Sequence, residues 1–154
     1  MPESSPAQPA LVPVGPADLA DLVALARAYY AYDQHDWDGV TQVAALRQLC
    51  DGTPYARCFF ILLEGARIGY VSASYGFSIE VGGLDLFLDE LFLKEARQGR
   101  GLGRQVLALI EDEVRRLGGR RLCLEAELHN PRAAHLYATS GYHEHARRLL
   151  SKLL

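Results

Sequence analysis

The sequence predicts an α/β domain of the α+β kind, built on a mixed sheet. Three observations carry this reading. Helical spacing dominates the first fifty residues, strand-like runs fill 57–93 with little interruption, and two helix patterns flank one further strand between 103 and 140. The length of 154 residues suits one domain. A chain of that size buries roughly 68–70% of its unfolded surface, so no disulfide or metal staple is required.

Residues 1–9 contain three prolines and little to bury, and are expected to form a disordered lead-in to a domain spanning 10–154. Leu11–Val14 reads as a short edge strand limited by Pro13. Asp18, after Pro16, reads as the N-cap of a helix carrying Leu19, Leu22, Val23, Leu25 and Ala26. A second helix is expected over Val40–Leu49, ending near Asp51 and Gly52. Arg57–Leu63 and Arg67–Tyr75 form a hairpin about Glu64, Gly65 and Ala66. Gly82 and Gly83 open a strand over Leu84–Leu93. The face Val106, Leu107, Ile110, Val114 and Leu117 marks a helix from Gly103 to Leu117, stopped by Gly118 and Gly119. Leu122–Leu128 reads as a strand. Asn130 as N-cap and Pro131 at the first position start a helix that reaches Ser140. Tyr142–Leu154 is expected to add one or two strands.

Composition excludes several classes. Hydrophobic residues at 49% and charged residues at 23% are ordinary globular usage. A pI near 5.9 argues against a nucleic-acid partner. No apolar run approaches the ~18 residues of a membrane span. The N-terminus lacks the basic and apolar regions of a signal peptide, so a cytoplasmic protein is expected. Cys50, Cys58 and Cys123 form no C-x-x-C pair. The net charge of −3 conceals an asymmetry: residues 1–96 hold 5 bases and 13 acids, and residues 97–154 hold 11 bases and 6 acids.

The most informative segment runs from Leu84 to Arg104. A strand enters a turn bearing Gly99, Gly101 and Gly103, and a helix leaves it. Glycines let the backbone adopt positive φ and approach a ligand closely. The helix start adds unpaired N–H groups and a positive dipole end. Arg97, Arg100 and Arg104 add positive charge. A tight structural turn and a phosphate cradle both fit the bare pattern. A Walker A loop is absent, and Arg104 stands where a dinucleotide fingerprint counted from Gly99 needs its third Gly.

Gln98-x-x-Gly101-x-Gly103, between an apolar strand and an amphipathic helix, resembles the acetyl-CoA signature of the GNAT N-acetyltransferases. Asn130 and Tyr137, seven apart and followed by Gly141 and Tyr142, resemble that family's second motif. The element order over roughly 10–154 is also similar. Asp89-Glu90-Leu91-Phe92-Leu93 looks most like the diamine (spermidine/spermine) branch, although its acidic pair is ordered Glu-Asp and this chain reads Asp-Glu.

The resemblance implies a GNAT fold: a mostly antiparallel central sheet, helices on both faces, and a splay between the two central strands. It implies acetyl-CoA as co-substrate and no metal. The N–H groups of Gln98, Gly99, Arg100, Gly101, Leu102, Gly103 and Arg104 would hold the pyrophosphate, and Leu91, Phe92 and Leu93 would pair with the pantetheine arm. Asn130 would lie near that arm, beside its own N-cap role. Tyr137 would be the acid that protonates the departing thiolate; a core tyrosine is the alternative.

By period two, Leu84, Leu86, Leu88, Glu90 and Phe92 share one face, so Glu90 interrupts an apolar surface, and Asp89 points away unless a bulge intervenes. Glu90, then Asp89, are the candidate bases or amine-binding acids. The loop joining the first two helices usually walls the acceptor site in this family. It offers Asp33, Asp36 and Asp38 beside Tyr29, Tyr30, Tyr32 and Trp37, and carboxylates and aromatic faces both attract an ammonium. A solvated acidic loop is the competing reading.

The expected function is therefore direct acetyl transfer to a primary amine of a small cationic molecule: a polyamine, amino acid or amino sugar. A protein lysine or N-terminal acetyltransferase and a non-catalytic acyl-CoA sensor are the alternatives. A homodimer is expected, with the apolar tail as an edge strand. His143 and His145 would share a strand face but lack a third metal ligand.

Overall fold

The computed structural model describes residues 7–154. The expected lead-in therefore lies largely outside the described residues; residues 7–9 carry no regular structure, and the first strand begins at Ala10. The elements in order are β1 (Ala10–Pro13), α1 (Leu19–Tyr32), α2 (Thr41–Asp51), β2 (Ala56–Leu63), β3 (Ala66–Ser78), β4 (Gly83–Leu93), α3 (Leu102–Arg116), β5 (Arg121–Leu124) and α4 (Pro131–Thr139). One five-stranded sheet runs β1-β2-β3-β4-β5. All neighbours are antiparallel except β4 and β5, which are parallel.

The sheet carries apolar residues on both faces. On one face Leu22, Leu25 and Ala26 of α1 and Leu46 and Cys50 of α2 cover Phe60, Tyr70 and Phe92. On the other, Val106, Leu107, Ile110 and Val114 of α3 cover Ile61, Val71, Leu86 and Leu88. The α3 pattern read from the sequence is the one that packs. Among the described residues no helix is long and apolar enough to cross a membrane.

Four expectations are corrected. First, Tyr142–Leu154 forms no strand; Leu149, Leu150, Leu153 and Leu154 are exposed, and the edge strand on which self-association was argued is absent. His143 and His145 accordingly share no strand face. Second, β5 ends at Leu124 and not at Leu128, because only Arg121–Leu124 finds a partner, in Asp85–Leu88. Third, Asp18 sits at the head of α1, but its carboxylate accepts from Gly15 N–H at 2.9 Å and from Arg67 at 2.6 Å; it does not cap α1 with its side chain. Fourth, the alternation along β4 breaks. Ser72 faces Glu90 and Ala73 faces Leu88, so Asp89 is the extra residue of a β-bulge. Leu86 and Leu88 point to α3, whereas Phe92 points to α1 and α2. Glu90 thus does not interrupt the face of Leu84, Leu86 and Leu88. One inserted residue moves every later side chain to the opposite face.

Candidate active site

The site begins where β4 and β5 part. Parallel pairing stops at Leu88 and Leu124, while β4 continues to Leu93. Arg121 forks onto Asp85, at 2.7 and 3.0 Å, and clamps the paired end. The unpaired stretch Leu91–Leu93 then lines a groove of about 330 Å³, closed on its far side by α4. The splay expected from the resemblance is therefore present.

The glycine turn forms one end of that groove. Gly99 and Gly101 take φ of +77° and +74°, and Gly101 is the N-cap residue of α3. The N–H groups of Leu102, Gly103 and Arg104 have no partner one helical turn back, as the first turn of any helix requires; Gln105 N–H is the first to bond, to Gly101 C=O. A Cβ on Gly103 would stand 3.0 Å from a methyl group of Leu136 of α4, so the start of α3 lies close against that helix. Gln98 braces the turn: its amide donates to Leu93 C=O at 2.8 Å, and its oxygen accepts from Tyr32 at 3.2 Å and Arg132 at 3.4 Å.

Of the residues expected to hold the co-substrate, Leu91, Phe92, Leu93, Gln98, Gly99, Gly101, Gly103, Arg104 and Asn130 line the groove. Leu102 turns its side chain into the α3 core, and Arg100 is exposed, so these two can contribute through their backbone amides. Arg104 is engaged with Thr139 of α4, through the backbone oxygen at 3.0 Å and the hydroxyl at 2.8 Å. Asn130 does cap α4, accepting from Ala133 N–H at 3.1 Å, and it also lines the groove, so its two expected roles are compatible.

Tyr137 projects from α4 into the groove wall, with its ring edge-on to Tyr142 at 6.0 Å. Burial, and then the charge of Asp33, hold its phenol above the ordinary tyrosine value, which keeps it protonated. Glu90 lies on the other side of the sheet, half-buried, and accepts from Tyr70 at 2.6 Å. Burial raises its carboxyl; the hydroxyls of Tyr70 and Tyr30 oppose that rise, and the charge of Asp89 adds to it. Asp89 is exposed on the bulge.

The loop after α1 is sorted by the structure. Asp33 is buried at 5% exposure, with its oxygens facing Tyr29 at 3.3 Å, His35 at 3.1 Å and His129 at 3.3 Å. Asp38 caps α2, accepting from Val40 and Thr41 N–H, each at 2.6 Å. Tyr30 stacks edge-on against Trp37 at 5.2 Å, and Asp36 is exposed. Tyr30, Asp33, Asp36 and Trp37 do not line the groove, whereas Tyr29 and Tyr32 do. Tyr29 and Tyr32 belong to the loop aromatics expected at the acceptor wall; sequence reasoning singled out neither Tyr70 nor His35, and it found no carboxylate for His129, which the structure supplies in Asp33. Burial, and then the charges of Asp33 and Glu90, raise the Tyr29 phenol above the ordinary tyrosine value. Tyr70 carried no signal, since its partner is twenty residues away.

The comparisons with known proteins agree with this fold. The model of the acetyltransferase (GNAT) family matches residues 20–142. A protein of Bacillus subtilis (strain 168) named as an uncharacterized N-acetyltransferase, YdgE, is 36% identical over 58 residues, a match covering 38% of this chain and 37% of that protein. Among solved structures, an integron cassette protein from the mobile metagenome of Cole Harbour Salt Marsh superposes with a TM-score of 0.80 at 26% identity, covering 94% of this chain and 90% of that one. An aminoglycoside acetyltransferase from an uncultured soil metagenomic sample, in complex with sisomicin, gives 0.78 at 14% identity, over 95% and 97%. The aminoglycoside N-acetyltransferase AAC(6')-Iy in complex with CoA gives 0.76 at 16% identity, over 99% and 98%. The last two identities speak to the fold alone.

Proposed function

The chain belongs to the acetyltransferase (GNAT) family, and from that membership we propose an acetyl-CoA-dependent N-acetyltransferase acting on a primary amine of a small cationic molecule. One observation carries the reading: the groove runs without interruption from the free amides at the start of α3, along the unpaired edge of β4, to Tyr137. The residues present fit acetyl-CoA. The amides of 98–104 suit the pyrophosphate, and the backbone of Leu91–Leu93 suits the arm, because it lacks a β5 partner.

Bound there, acetyl-CoA supplies an acetyl thioester. The chain's own groups do the rest. Tyr137 keeps a proton on its phenol oxygen and delivers it to the departing sulfur. Its pKa, raised above the ordinary tyrosine value, exceeds the ~8.5 of a thiol, so the proton is handed over as charge builds on the sulfur and not to a free thiolate afterwards. Glu90 offers a carboxylate to the incoming ammonium and takes up its proton, directly or through water. The aromatic rings of Tyr29 and Tyr32 line the groove and suit a cation. That the soil enzyme was solved with sisomicin, an amine-bearing aminoglycoside, supports a small polyamine or amino sugar as acceptor. The resemblance of Asp89–Leu93 to the diamine enzymes keeps diamines beside them.

The test is a panel of diamines, amino sugars, amino acids and lysine peptides, read by release of the CoA thiol. A small amine should be turned over best, and Tyr137→Phe should lower its kcat by about 10²- to 10⁴-fold with acetyl-CoA affinity unchanged. Silence across the whole panel would overturn the function; an undiminished Tyr137→Phe rate would remove Tyr137 as the acid.

The pH dependence has a definite sign. Glu90 must be ionised to act, so kcat/KM rises with pH through its raised pKa. The Tyr70 hydroxyl stabilises the carboxylate form. Tyr70→Phe should therefore push the acid limb to higher pH. A limb that stays in place or moves to lower pH would dissociate it from Glu90.

A further inference from the structure

Two loops with metal-ligating side chains meet beside the groove, each adjoining one of its lining residues, Tyr32 or Asn130. Asp33 and His35 follow α1; Glu127 and His129 lie between β5 and α4. His35 Nε2 stands 3.1 Å from Asp33 Oδ2 and 3.6 Å from Glu127 Oε1. One donor atom from each of these three lies within 4.8 Å of the others. A four-coordinate zinc ion with bonds of ~2.0–2.2 Å places neighbouring donors about 3.3–3.6 Å apart, so the observed spacing brackets the tetrahedral edge. The donor set also selects the metal: an imidazole with two carboxylates suits zinc and its first-row neighbours, whereas magnesium and calcium take oxygen alone.

Asp33 is prepared for such a role. It is 95% removed from solvent by its 5% exposure, yet its carboxylate points to the exposed side chains of His35 and Glu127. Its second oxygen faces His129 Nε2 at 3.3 Å, and Tyr29 OH donates to the first at 3.3 Å. A ligating carboxylate held by further hydrogen bonds is the usual build of a metal site. The two histidines also lie on different loops, which a solvated acidic turn would not require.

We propose that Asp33, His35 and Glu127 bind a divalent transition-metal ion, zinc by its ligand chemistry. His129 positions Asp33, and one coordination position stays open to solvent. The ion would tie the loop after α1 to the loop before α4, joining the two sides of the groove beside Tyr137. This site stands independently of the acceptor amine proposed above.

The test is calorimetric titration of the chelator-treated chain with zinc chloride, together with the visible absorption of the cobalt(II) form. One zinc per chain and a tetrahedral cobalt spectrum are expected. His35→Ala and Glu127→Gln should each weaken binding at least tenfold. His129→Ala should weaken it about 10- to 100-fold, and His143→Ala should leave it unchanged. Glu127 is exposed, so Glu127→Gln should keep the melting temperature of the metal-free protein, which separates lost binding from lost folding. No binding at a zinc concentration of about 100 μM, affinity unaltered by His35→Ala, or affinity lost on Cys123→Ser would each overturn the assignment.

Discussion

Gly69→Ala should unfold the site and weaken the whole domain, with a loss of more than ~3 kcal/mol, at the upper end for overpacking. A Cβ at residue 69 would stand 2.0 Å from the carbonyl oxygen of Phe92 and 3.1 Å from Leu93 Cα. Both are backbone atoms in the middle of a sheet. No rotamer change can relieve the contact, so β3 and β4 must separate. They are paired here, Gly69 opposite Leu93, and Lys94 N–H bonds Ile68 C=O at 2.9 Å just beyond. The same stretch of β4 is the groove wall. Thermal unfolding should show a fall of roughly 6–12 °C, taking 2–4 °C per kcal/mol for a chain of this size, and acetyl-CoA binding should fail with it. A melting temperature within about 2 °C of wild type would mean that the strands can spread at that point without penalty.

Gly101→Val should do the opposite: it should leave the fold standing and remove co-substrate binding. Nothing lies within 4 Å of a Cβ built on Gly101, so no clash threatens the core. Its φ of +74° is the difficulty. The left-handed region costs an L-residue about 1–2 kcal/mol, and a β-branched side chain occupies it as a genuine outlier. The turn is exposed, so the backbone can escape that strain by rotating the neighbouring peptides. That rotation redirects the amides at the head of α3. Calorimetry should report acetyl-CoA affinity at least tenfold weaker, beside a circular dichroism spectrum like that of wild type. Wild-type affinity would show that the amides of this turn do not hold the co-substrate. The pair of variants separates two uses of glycine: close backbone approach at residue 69, and backbone conformation at residue 101.

Local features were the legible ones. The α3 face, the Asn130–Pro131 start of α4 and the glycine turn each depend on residues within a few positions, and each appears as read. The strand from Gly83 to Leu93 was also legible, but its facing was not. The bulge at Asp89 arises from the register against β3, and period-two reasoning carries no information about it. The tail shows the same limit. Its leucines look like a strand, but a strand needs a partner edge, and none pairs with it among the described residues.

The acidic loop marks the division most clearly. Asp33, Asp36 and Asp38 are equivalent in sequence, three carboxylates among aromatics. In the fold one is buried between a tyrosine and two histidines, one is exposed, and one caps a helix. The sequence by itself determined the α/β class, the glycine turn ahead of α3 and the family resemblance, because helix periodicity, capping and glycine conformation are short-range. Only the tertiary structure decided which way Glu90 faces, that Tyr70 and Tyr29 join the site, and that His35 and His129 converge on Asp33. Those outcomes depend on strand register and loop packing: Tyr70 meets Glu90 across 20 positions and His129 meets Asp33 across 96, and His35, only 2 residues from Asp33, turns onto it through the conformation of the folded loop.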